Sequence, residues 1–254
     1  MLLFAAAILL VQGGSGGRDR PDLRAGLDTL YAGAFPVAAE YFAAIAARDS
    51  VDPAPVIFEA GAYIWWAAAK DSDAFEAPRI DSLLGLAIAR ARAAGPAAQF
   101  WLATALGYRA RERDLRGGSW GAAKDARAMR EAYRRILAAD STCVDCYLGL
   151  GLYRYGLARA GTLARIVAKL IGLGSGNAEE GIRYMRRVAH DGDLAKVEGT
   201  WVLASALVRE AARDPAGAGA LVHEARSYVD RLAHRYPDNP VFQRFLFHHP
   251  ERAS

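Results

Sequence analysis

The chain has 254 residues, 24% of them charged, and a formal net charge of +4. That charge fraction excludes global disorder, and the length supports a well-buried core, since a domain of this size hides roughly 70–75% of its unfolded surface. Alanine and other helix formers dominate while the Val-Thr-Ile alternation of sheets is nearly absent, so the fold class expected is all-α.

Residues Met1 to Val11 are apolar throughout, too short a run to span a bilayer. The small, flexible stretch QGGSGG follows. Residues 1–17 therefore read as a signal peptide, or an apolar N-terminal segment with a Gly/Ser spacer, with Val11-x-Gly13 as the cleavage site. Neither a preceding Lys or Arg nor an Ala-x-Ala junction supports cleavage. The expectation is an exported, periplasmic or otherwise extracytoplasmic protein; the alternative is tethering to the membrane by an uncleaved segment. The stretch GGSGG fits the G-x-S-x-G pattern formally. It sits in a spacer and not at a strand-to-helix turn, so it is no nucleophile elbow.

From residue 18 to 242, caps and apolar spacing predict about ten helices. Pro21–Ala32 and Pro36–Ala47 form a first pair. Pro55–Lys70, Pro78–Ala94, Pro96–Glu112 and Ser119–Ala139 follow, each with apolar residues at helical spacing. Thr142–Ala158 comes next, then an amphipathic basic segment, Leu163–Ile171. Its apolar side (Leu163, Ile166, Val167, Leu170, Ile171) is worth roughly 7–15 kcal/mol gross whether it meets protein or lipid. Protein packing is the preferred reading and contact with an anionic membrane surface the alternative. Asn177–His190, Leu194–Arg213 and Pro215–Tyr236 complete the set, and 243–254 reads as a short C-terminal tail. Each helix has one apolar face that it cannot bury alone; stacked antiparallel pairs bury such faces jointly.

Gly33-x-Phe35-x-x-Ala38-x-x-x-Phe42 has the spacing of the second half of a tetratricopeptide repeat (TPR), and RDSVDP, AADSTCVD and RYPDNP mark recurring boundaries. With DCYLGLGLYRYGLARA, LIGLGSGNAEEGIRYMRRVAHDG and VEGTWVLASALVREA, the chain resembles the TPR superfamily. The closer likeness is to bacterial exported TPR-containing proteins, and more distantly to the tetratricopeptide repeat protein 39 family. The resemblance implies a TPR-like α-solenoid of about five antiparallel helix pairs. It also implies a non-enzymatic scaffold or adaptor that binds a partner peptide or helix on its concave face. It brings no catalytic residue and no cofactor. The family's two-carboxylate peptide clamp needs Asn and Lys/Arg on successive inner helices; with Asn177 and Asn239 the only asparagines present it cannot be assembled, so an acidic C-terminal peptide is not the expected ligand. Inner-face candidates for partner binding are Tyr108, Arg109, Tyr153, Arg154 and Trp201.

Cys143-x-x-Cys146 holds the only two cysteines. A disulfide, two packed thiols, and a metal or redox site are the alternatives. No strand precedes the motif, no second Cys pair offers zinc ligands, and position 147 is Tyr147 where haem attachment needs His. A bridge of this spacing closes a small loop and would act as a local cap, worth about 2 kcal/mol. Gly149-x-Gly151 and Gly172-x-Gly174 lack the third glycine of a dinucleotide fingerprint, and Arg154 and Asn177 stand in its place. None of the five histidines makes a zinc spacing. No metal site, cofactor or small-molecule substrate is assigned, and the chain is not read as an enzyme.

The basic charge is concentrated. Leu106 to His190 carries 16 Lys/Arg against 8 Asp/Glu, a local excess that leaves the remainder acidic. The alternative function is therefore an accessory protein engaging an anionic surface through Arg109, Arg111, Arg113, Arg127, Arg130, Arg134, Arg165 and Lys169. That surface would be membrane headgroups or nucleic acid, the second disfavoured because most of the aromatics fall at core spacing.

Overall fold

A computed structural model describes residues 20–161 and 172–250. The N-terminal segment 1–17 and the amphipathic stretch 163–171, with Arg165 and Lys169, lie outside them. The described residues are all-α, with eleven α-helices and one short 3-10 turn. They are α1 (Pro21–Tyr31), α2 (Phe35–Arg48), α3 (Ala54–Ala69), α4 (Ala77–Ala93), the turn Gly95–Ala98, α5 (Gln99–Leu115) and α6 (Ser119–Ala139). Then come α7 (Cys146–Arg159), α8 (Ala178–Asp191), α9 (Lys196–Ala211), α10 (Ala218–Arg235) and α11 (Pro240–His248).

Local chemistry sets most helix starts. Proline occupies an early position in α1, α2, α3, α4 and α11, where its missing N–H costs nothing and its fixed φ suits the first turn. Asn177 caps α8 by accepting from the Glu180 N–H at 2.9 Å, and Glu179 and Glu180 in the first turn favour the positive helix end. The expected helix from Thr142 begins only at Cys146, because Asp140 holds the preceding residues in a turn. Its carboxylate accepts from Thr142 N–H at 2.9 Å and from the Thr142 hydroxyl at 2.6 Å.

Consecutive helices pack on one another along the chain. Leu23, Leu27 and Leu30 on α1 share a buried cluster with Phe35, Ala38 and Phe42 on α2. α7 and α8 approach backbone to backbone. A Cβ on Gly151 would lie 2.9 Å from the Gly181 carbonyl oxygen, and one on Gly181 would lie 2.8 Å from the Gly151 carbonyl oxygen. Backbones meet there because neither residue has a side chain. α3 is apolar almost all round and buried almost all round, from Ala54 to Trp65, as a helix surrounded by others must be.

The array closes on itself. The Tyr236 hydroxyl donates to Asp28 at 2.7 Å, Asn239 Nδ2 donates to the Tyr31 carbonyl at 2.8 Å, and Arg24 pairs with Asp193 at 2.7 Å. The residues after 242, read from sequence as a tail, instead continue α11, which docks back on α3. Phe242 lies 5.7 Å from Trp65, ring to ring, and Trp201 lies 6.0 Å from Trp65. Asn239 caps this helix by accepting from Val241 N–H at 2.9 Å. Phe242 and Phe245 then supply its buried stripe.

Candidate functional site

The five residues expected on an inner binding face fall into separate settings. Arg109 makes a two-pronged contact with buried Asp125, 2.7 Å at each oxygen, and Arg113 adds a third bond at 2.6 Å. The Tyr108 hydroxyl donates to Glu198 across the interior from α5 to α9. Both side chains keep some accessible surface but sit deep within the array, and burial is the leading cause raising the pKa of each. Tyr153 donates to the Leu173 carbonyl at 2.6 Å, and Arg154 pairs with Glu180 at 3.1 Å. Those two therefore fasten the loop that leads into α8. The structure brings Trp201 and Tyr108 toward the same interior and puts Tyr153 and Arg154 elsewhere.

The basic middle is likewise largely engaged internally. Arg111 contacts Glu112, Arg127 pairs with Glu131 at 2.9 Å, and Arg130 donates to the Leu173 carbonyl at 2.7 Å. Arg134 is exposed.

Cys143 and Cys146 are joined in a disulfide, Cα to Cα 5.5 Å. Asp145 between them is buried, its carboxylate accepting from the N–H groups of Asp193 at 2.8 Å and Ala195 at 3.3 Å. Burial raises its pKa, and those backbone donors oppose the rise. The bonds tie the start of α7 to the α8–α9 turn.

Trp201 opens onto a cleft of about 430 Å³ between the α3–α4 loop and α11. Ala68, Asp71, Ser72, Asp73, Val241, Arg244, Phe245, His248 and His249 form the rest of its wall. Trp201 and Phe245, 5.6 Å apart ring to ring, supply an aromatic floor. Asp71 and Asp73 stand exposed on the rim. The Arg244 guanidinium donates to the Ala68 carbonyl at the end of α3, which offsets the negative helix end. Burial, then the neighbouring His248, lowers the pKa of His249.

Asp71 is held at φ 53°. The reason lies in how α3 ends: Asp71 N–H donates to the Ala68 carbonyl at 3.2 Å and Ser72 N–H to the Ala67 carbonyl at 3.1 Å. This double bond pattern requires a left-handed residue after the cap, a place usually filled by glycine. An aspartate there costs of order 1 kcal/mol and sets its carboxylate at the cleft mouth. Of this cleft, sequence reasoning named only Trp201. A second legible signal was PDNPVF, an Asn cap and a helix-starting proline ahead of apolar residues; the left-handed Asp71 has none.

No family model matches this chain, no curated protein matches it, and no solved structure matches it.

Proposed function

We propose that the chain is a TPR-type helical-repeat binding protein, acting outside the cytoplasm, that holds a segment of a partner protein in the cleft between the α3–α4 loop and α11. The occupant is an extended peptide with a basic side chain beside an apolar one. Stacked helix pairs and small-residue crossings support the repeat reading. The observation that carries the site is the pairing of an aromatic floor, partly open Trp201 backed by buried Phe245, with Asp71 in a left-handed conformation at its edge. An arginine or lysine stem lies well over an aromatic ring while its charged head meets a carboxylate. Arg244 does not compete for that carboxylate, being engaged with the end of α3.

The test is selection of peptides of roughly 12 residues on the full chain, followed by affinity measurement with Asp71→Gly. Glycine suits the left-handed position, so the variant folds while the carboxylate is lost. Selected peptides should carry Arg or Lys next to a large apolar residue. Their affinity should fall about tenfold in the variant, the loss expected for one charge-assisted hydrogen bond. Peptides with no basic preference, or unchanged affinity in Asp71→Gly, would refute the reading.

A further inference from the structure

The disulfide is asymmetric in its surroundings. Cys143 is partly exposed on the turn before α7, whereas Cys146, the first residue of that 14-residue helix, is fully buried. Cys146 packs in the cluster that contains Met129, Tyr133 and Leu150. An attacking thiolate can therefore reach one sulfur and not the other.

Opening the bond would leave its frame in place. The bridge closes a ring of only four residues, so it contributes little to the fold by restricting the unfolded chain. The turn is held independently by Asp140 on Thr142 and by Asp145 on the Asp193 and Ala195 N–H groups. Two thiols released there stay adjacent, which favours closing the bond again. The sulfur that leaves on attack at Cys143 is therefore the one on the first residue of α7, enclosed by the fold.

We propose that Cys143–Cys146 is a redox-active pair that exchanges with the thiols of a cysteine-bearing protein partner, Cys143 being the sulfur attacked and Cys146 the leaving group. A partner thiolate attacks Cys143 Sγ, forming a mixed disulfide, and the electron pair of the broken bond passes to Cys146 Sγ. A second thiolate on the partner then attacks the partner's own sulfur in that mixed disulfide and displaces Cys143. The partner dithiol ends as a disulfide, this pair ends as a dithiol, and the two protons given up by the partner are taken by the two cysteines. Exchange is stoichiometric, one electron pair per partner molecule, and stands apart from whatever the cleft holds.

The test uses the oxidised full chain and, as probe, a reduced synthetic peptide containing Cys-x-x-Cys. Acid quenching and mass mapping should find the peptide joined to Cys143 in the wild-type chain, followed by release of oxidised peptide and reduced protein with helix content unchanged. Cys146→Ala should accumulate the mixed disulfide, after activation of its single thiol, at least about tenfold faster than Cys143→Ala. The wild-type mapping serves as the second measurement if Cys146→Ala folds poorly. The proposal is overturned if the wild-type bond survives excess peptide or if adducts divide equally between the two sulfurs. Loss of helix content on reduction would overturn it too.

Discussion

Asn239 is the residue on which closure of the array can be measured. It is fully buried, and its amide does two things: Oδ1 caps α11 through Val241 N–H and Nδ2 reaches the Tyr31 carbonyl on α1. Asn239→Ala removes the cap, about 1 kcal/mol, and strands a carbonyl in the interior, about 1–3 kcal/mol. The expected loss is about 3 kcal/mol, or a fall in Tm of roughly 6–12 °C for a chain of this size. Asn239→Ser separates the two roles, because serine caps a helix but is too short to span to Tyr31. It should recover about 1 kcal/mol of the loss and no more. Urea unfolding followed by far-UV circular dichroism gives both values, read from midpoints at constant m. A loss below about 0.5 kcal/mol in Asn239→Ala, or full recovery in Asn239→Ser, would show that the junction of α1 with α11 contributes nothing.

Glu198→Gln should stabilise the protein at neutral pH. Burial raises the Glu198 pKa above its ordinary 4.5, with the Tyr108 hydrogen bond opposing. The folded state therefore holds that proton more tightly, and the stability this confers is present below about pH 4.5 and lost as pH rises through the folded value. The variant should show a smaller decline in urea midpoint between acid and neutral pH; an unchanged decline would refute the assignment. Gly181→Ala should destabilise by about 1–3 kcal/mol, since the new methyl meets backbone of α7. Gly85→Ala, in a helix with open space around the added Cβ, should stabilise by about 0.5–1 kcal/mol. Thermal melts of the two variants should move in opposite directions.

The all-α class and the place of most helices were legible in the residues, because those depend on local terms: proline starts, the Asn177 cap and apolar residues at helical spacing. Phe35, Ala38 and Phe42 showed their buried face directly. Which helices meet across the chain was not legible there. Tyr108 on α5 finds Glu198 on α9, and Asn239 finds Tyr31, through contacts far apart in sequence and set by how successive crossings accumulate. No short window records that geometry. Trp201 illustrates the division: its spacing marked it as an inner-face candidate for partner binding. Only the return of α11 onto α3 made it the floor of a cleft. The same return brought Asp71, whose backbone conformation follows from how one helix ends, to the mouth of that cleft.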